Sequence, residues 1–295
     1  MKEGLATRTV DFRIPAPGFP GEDAERVLHG RVELPAGEVE PGSLPTVLLM
    51  HGYKAFLGRG HLPELSRRLA AAGMGVVRFE FSGSGIEPGG STVTDLEAFA
   101  RNTYTRELDD IERVRSALGE LAGGALDPER VGLCGTSRSG AMALLHAAGR
   151  PDTRAVVTWA AMSTVLRFDA EQRERWRREG EITVQGVDGG PRLRLGPELL
   201  ADAERNRERL DVLAACARIE APTLLVQGDR DRAVKREELE RLAAAFRPEL
   251  AELLVLEGVG HGFGASHPLA AIPPPLGLAL ERTVAHLGRH LRGRP

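Results

Sequence analysis

The 295-residue sequence is short of several things. It has two cysteines, Cys134 and Cys216, which lie far apart in the chain and cannot form a metal cluster alone; reduced thiols in a cytoplasmic protein are the expected state. No apolar run reaches the roughly 18 residues that read as a membrane span. The opening MKEGLATRTVDFRIP lacks both the apolar stretch and the small-residue cleavage site of a secretory leader. Charge of one sign is not in excess either: the formal net charge is −3, which leaves nucleic acid without an electrostatic footprint. Lysine is nearly missing, with only Lys2, Lys54 and Lys235 among 39 basic residues. An arginine bias of that kind suits ion-pair networks and decides nothing about function. Internal repeats and low-complexity segments are absent. The expected partner is a small molecule, with neither nucleic acid nor membrane.

What is present is globular composition, 42% apolar and 27% charged, in a pattern of short β-branched runs alternating with longer amphipathic stretches. That alternation predicts an α/β fold with a mostly parallel central sheet flanked by helices. Thr7–Ile14 and Val27–Leu34 are expected as edge strands joined by a turn. Thr46–Met50 is nearly all apolar, as a strand covered on both faces should be. Leu62–Ala72 places Leu62, Leu65, Leu69 and Ala72 on one helical face. Further strands are expected at Gly75–Phe81, Arg130–Cys134, Ala155–Ala160, Pro222–Gln227 and Ala251–Glu257. Helices are expected over about 94–121, 138–148, 236–246 and 276–291. Between Ser163 and Asp211 the chain becomes dense in charge around a hairpin-like EITVQGVDGGPRLRL. These residues read as an insertion, with 1–162 and 212–295 forming one core.

The strongest local signal is RVGLCGTSRSGAMALLHAA. A strand ends at Gly135, Ser137 follows two residues later and a helix begins at once. In such a strand–turn–helix only small residues fit two before and two after the nucleophile, whose oxygen then projects above the sheet. Here the second small residue is Ser139 rather than glycine, so a slightly crowded turn is expected. A serine hydroxyl needs a base that is itself oriented by a third group. Downstream, one strand end carries Gly228-Asp229-Arg230-Asp231 and the next carries Gly258-Val259-Gly260-His261-Gly262. The stretch Met50-His51-Gly52-Tyr53-Lys54 follows the first buried strand, in the place where a turn can lend a backbone N–H to a developing oxyanion.

These four motifs in this order resemble the α/β-hydrolase family, from about Thr46 to the C-terminal helix. The likeness is closest to its serine esterase and acyl-peptidase-like branch, with HGYKAF after one strand and FSGSG after the next. The resemblance implies Ser137 as nucleophile, Asp231 as acid, His261 as base, and the Tyr53 and Arg138 N–H groups as oxyanion donors. Asp231 is preferred to Asp229 because the family's acid comes three residues after the strand-end glycine. The insertion 163–211 falls where relatives carry a cap. Phe56, Leu57 and Trp176 are expected to contact substrate, with Trp176 facing the acyl or alcohol site and the insertion's arginines facing water.

Other chemistry has less to stand on. G-x-x-x-x-G-K-[ST] is absent, SGSGIEPGG runs into Pro and Gly rather than a helix, and the eight histidines are scattered without H-E-x-x-H, so no cofactor or metal is expected. His267 is a second-choice base. The expected activity is carboxylic-ester hydrolysis through an acyl-enzyme. An amide or peptide hydrolase with the same three residues, and a non-catalytic binder that keeps the fold, remain open.

Overall fold

A computed structural model describes residues 6–292. Residues 1–5 and 293–295 of the expected core, and with them the beginning of the MKEGLATRTVDFRIP stretch, lie outside the described residues. An eight-stranded sheet organises the chain, built from β1 (Thr7–Ala16), β2 (Arg26–Pro35), β3 (Leu44–Met50), β4 (Gly75–Phe79), β5 (Leu126–Thr136), β6 (Thr153–Trp159), β9 (Thr223–Gly228) and β10 (Ala251–Leu256). The spatial order is β1-β2-β4-β3-β5-β6-β9-β10. The pairs β1–β2 and β2–β4 are antiparallel and the remaining pairs are parallel. The expectation for β1 and β2 is therefore corrected in one respect. β1 is an edge strand, but β2 is interior, held between β1 and β4.

β3 shows why the sheet sorts its side chains. All seven of its residues are buried. Val47 and Leu49 face one layer, whose helices are α1 (Leu62–Ala71) and α9 (Pro274–Leu291). Leu48 and Met50 face the other, with α3 (Tyr104–Ser116), α4 (Arg138–Ala148) and α8 (Arg236–Ala245). The period-2 alternation of a strand does this sorting, and two apolar faces need two helical layers.

The long helix expected over 94–121 is broken into α2 (Leu96–Arg101), α3 and a 3₁₀ segment, Leu118–Gly124. Asn102 ends α2 in an extended conformation, and the Thr103 side chain accepts from Arg106 N–H to cap α3. A Thr that satisfies the next helix's first-turn N–H stops the previous helix more firmly than the periodicity continues it. Between β6 and α7 (Val212–Arg218) the chain makes α5 (Ala170–Glu179), a two-stranded hairpin of β7 (Ile182–Gln185) and β8 (Arg192–Leu195), and α6 (Pro197–Arg205). Among the described residues, no helix is long and apolar enough to cross a membrane.

Candidate active site

Ser137 stands between β5 and α4 with φ 59° and ψ −116°, a strained conformation for a residue with a side chain. The turn is held from both sides, because Ser137 N–H donates to Trp159 O at 2.7 Å and Gly140 N–H donates to Ser137 O at 3.0 Å. Gly135 is required by close approach: a Cβ there would meet the Ser139 carbonyl oxygen at 2.2 Å. Ser139 does not crowd the turn. Its hydroxyl accepts from Thr136 N–H at 2.9 Å and lies 3.0 Å from the Met50 carbonyl oxygen and 3.0 Å from that of Thr136.

Asp231, three residues past the end of β9, is buried and fully engaged. Oδ1 accepts the N–H groups of Ala233 at 2.8 Å and Val234 at 2.9 Å, and Oδ2 accepts from Gln227 Nε2 at 3.0 Å. Oδ2 also lies 2.7 Å from His261 Nδ1. Burial alone would raise this carboxyl, but the His261 hydrogen bond and the two backbone N–H groups outweigh it and hold the pKa below the ordinary value. Asp229 points elsewhere and accepts from Gly258 N–H at 2.7 Å, which pins the β9 and β10 loops together. His261 sits on the loop after β10, where Phe263 anchors the backbone by packing edge-on to Trp159 at 4.9 Å. With Nδ1 turned to a carboxylate, the other ring nitrogen is left for a second partner. Ser137 and His261 line one cavity of about 640 Å³.

The turn after β3 reaches the same place. A Cβ on Gly52 would come within 3.0 Å of Thr136 O and 3.4 Å of Ser137 Cβ, so glycine lets this loop lie against the serine. His51 is a part of that turn rather than a base. It is buried, its Nδ1 is 2.9 Å from Gly52 O and its Nε2 is 3.0 Å from Glu80 Oε2. Burial pushes the His51 pKa down, but the Glu80 carboxylate more than offsets this and the net shift is upward. Arg138 opens α4, and a first-turn N–H has no acceptor within its own helix. The Tyr53 N–H likewise finds no acceptor among the turns and loops described. The Arg138 side chain is buried, stacked 3.7 Å over the Tyr53 ring and 4.9 Å from the Tyr104 ring centre, with Nη1 3.2 Å from Glu107.

Three expected substrate contacts are corrected. Phe56 and Leu57 lie off this cavity, in a depression beside β1 and β2. Leu57 N–H donates to Glu80 Oε1 at 2.7 Å and its carbonyl accepts from Arg78 Nη1 at 2.9 Å, which turns the loop toward β4. Trp176 is only 1% exposed and packs edge-on against Phe168 at 5.0 Å, on the inner face of α5. Apart from Ala170 the other residues of α5 are polar or charged, so Trp176 is the large apolar side chain that can anchor the helix to the core, and it is the one buried there. Phe168 reaches the cavity, as do Arg167, Val184, Val187 and Leu195 of the excursion and Met162 just before it. Lys54, Arg59, His61, Tyr104 and Val234 were not legible as cavity residues, because loop conformation decides which way they turn.

Residues 47–272 match the alpha/beta hydrolase family. No curated protein sequence matches the chain. Among solved structures, a presumptive hydrolase of Agrobacterium vitis S4 aligns at 17% identity over 95% of this chain and 99% of its own, with a TM-score of 0.73. A Paleococcus ferrophilus monoacylglycerol lipase aligns at 20% identity over 86% of this chain and 100% of its own, with a TM-score of 0.63. A puromycin-hydrolyzing peptidase of Mycobacterium tuberculosis aligns at 22% identity over all of this chain and 41% of its own, with a TM-score of 0.66.

Proposed function

Since the chain belongs to the alpha/beta hydrolase family, we propose that it is a serine hydrolase that cleaves carboxylic esters through Ser137, His261 and Asp231. The observation that carries this reading is the 2.7 Å contact of His261 Nδ1 with a buried carboxylate, on a loop that shares its cavity with a serine held at positive φ. Ser137 Oγ attacks the acyl carbon while His261 Nε2 takes its proton. Asp231 keeps Nδ1 protonated and stabilises the imidazolium. The Tyr53 and Arg138 N–H groups receive the negative charge that develops on the carbonyl oxygen, aided by the positive end of α4. His261 then returns the proton to the departing alcohol. Water repeats the sequence on the acyl-enzyme, releasing the acid and restoring the serine. None of these steps needs a cofactor.

Residues 163–211 act as a cap in this account, roofing the cavity with Phe168, Val184 and Leu195 on a core of 1–162 and 212–295. Two buried, unbonded thiols accord with a cytoplasmic setting. Amide or peptide hydrolysis by the same residues is the second reading, favoured by the likeness to a peptidase. Ester and amide substrates that share one acyl group, a p-nitrophenyl ester and the matching p-nitroanilide, test the choice. The ester reading expects turnover of the ester at a rate at least about a hundredfold above the amide, lost in Ser137→Ala. Comparable rates on both would favour the second reading.

A further inference from the structure

The cavity beside Ser137 has an uneven charge. Lys54, Arg59, Arg138 and Arg167 line it, and among the described residues no aspartate or glutamate does. The chain as a whole has 42 acids to 39 bases, so composition does not produce this asymmetry. Three of the four cations are matched by carboxylates that do not themselves line the cavity. Arg138 pairs with Glu107 at 3.2 Å, Arg59 with Asp188 at 2.6 Å and Arg167 with Glu238 at 3.0 Å. Lys54 is different. Its Nζ donates to the Gln185 carbonyl at 2.7 Å and lies 5.2 Å from the Tyr53 ring centre, with no carboxylate in ion-pair range among the described residues. Burial and then the neighbouring Arg138 charge lower the Lys54 pKa, as expected for an ammonium that lacks a counter-ion.

Around this charge the wall is largely apolar, with Leu62, Met162, Phe168, Val184, Leu195 and Val234. A ligand that fits such a wall has an apolar body and one negative end. Rigid cations in a concave, low-dielectric surface concentrate their field on the space between them. Arg138, clamped between two tyrosine rings, keeps that field at the nucleophile's end of the cavity.

We propose that the cavity selects esters that carry a carboxylate, with that carboxylate docking on the Lys54 ammonium. The proposal rests on the ester-hydrolase reading and names its substrate class. The acid can belong to the acyl part, as in a half-ester of a dicarboxylic acid, or to the alcohol part, as in an acylated hydroxy acid.

Two matched pairs distinguish these sources. For the acyl side, mono-p-nitrophenyl adipate is compared with the corresponding adipamate ester, in which a neutral amide replaces the acid. For the alcohol side, 4-acetoxybenzoate is compared with 4-acetoxybenzamide. In at least one pair the anionic ester should show a KM about tenfold lower at low salt, with kcat little changed. Lys54→Gln should abolish that advantage, raising the anionic ester's KM to the level of its neutral partner's. Lys54→Arg should restore it, and about 0.5 M salt should shrink it. Equal KM values within both pairs in the unaltered protein would overturn the proposal while leaving ester hydrolysis intact. A rise in KM by the same factor for both members of a pair in Lys54→Gln would also overturn it, since Lys54 would then only prop the hairpin through Gln185. Calorimetry with Ser137→Ala reads the preference without turnover. Tighter binding of 4-acetoxybenzoate or the adipate ester than of its amide supports the anion site even if no ester is cleaved, an outcome that would remove the proposed reaction instead. Equal binding of both pairs overturns the anion site.

Discussion

Ser139 Oγ lies 3.0 Å from the carbonyl oxygen of Met50, so the turn that carries Ser137 is tied by a side chain to the end of β3. Ser139 Oγ also accepts the Thr136 N–H at 2.9 Å. A residue that departs from glycine at this place is therefore a brace between the nucleophile's turn and the loop that bears Tyr53. Ser139→Ala should remove the side-chain acceptor of the part-buried Thr136 N–H and the tie to Met50, and cost about 1 kcal/mol of stability. Ser139→Gly should lower the melting temperature too and leave turnover within a few-fold of the parent. Denaturant melts and ester kinetics on both variants check this. A rise of more than about tenfold in turnover for Ser139→Gly would mean that the hydroxymethyl group crowds the turn after all.

Ser137→Ala and His261→Ala should each reduce turnover by a factor on the order of 10⁴–10⁶, and the double variant by little more, because residues that act as one unit are not additive. Asp231→Asn should cost on the order of 10⁴ or less. Asp229→Asn should leave the rate nearly unchanged and loosen the Gly258 loop, as its only side-chain bond among the described residues is to that N–H. Steady-state kinetics on the four single variants separate the two aspartates. Full activity in Asp231→Asn with loss in Asp229→Asn would reverse the assignment.

Trp176→Ala should destabilise the protein by about 3–5 kcal/mol and leave the order of preference among acyl chain lengths as it was. Its side chain fills a space between α5 and the core and stays off the cavity. Phe168→Ala should do the reverse, shifting chain-length preference with a smaller loss of stability. Thermal melts and a series of p-nitrophenyl esters read both effects.

Most of the sheet could be read from the sequence, because a strand such as β3 that is buried on both faces is apolar throughout, and the Ser137, Asp231 and His261 positions all follow strand ends. What escaped was set by contacts distant in sequence. Trp176 is the large aromatic in a charged segment whether it faces ligand or core, and only the packing of Phe168 onto it decides which. Phe56 and Leu57 follow the donor loop in the chain, yet Arg78 and Glu80 of the neighbouring strand region hold the Leu57 backbone toward β4, off the cavity. Lys54 was visible as a rare lysine, while its lack of a counter-ion depends on where the hairpin of β7 and β8 comes to rest.

Two buried groups should shape stability against pH in opposite directions. Burial pushes His61 down to about 4, from 6.5. Its contribution is complete above the unfolded value and is lost as pH falls from about 6.5 through 4. Burial pushes Asp110 up to about 7 from 3.8, against the opposing hydrogen bonds from Ser82. Its contribution is complete below about 3.8 and is lost as pH rises through about 7. His61→Phe keeps a ring on Trp159 and should flatten the acid limb of a melting-temperature profile. Asp110→Asn can still accept the Ser82 N–H, and its cost should be larger at pH 5 than at pH 8 by on the order of 1 kcal/mol or more. Profiles that stay parallel to the parent would show that neither group titrates in these ranges.

The most direct test of the account is covalent labelling of the folded protein by a fluorophosphonate, read by intact mass and peptide mapping. One adduct per chain is expected, on Ser137, formed at a rate that falls steeply in His261→Ala and is absent in Ser137→Ala. Labelling at another residue, or no labelling of a protein that melts cooperatively, would contradict the assignment of Ser137 as nucleophile.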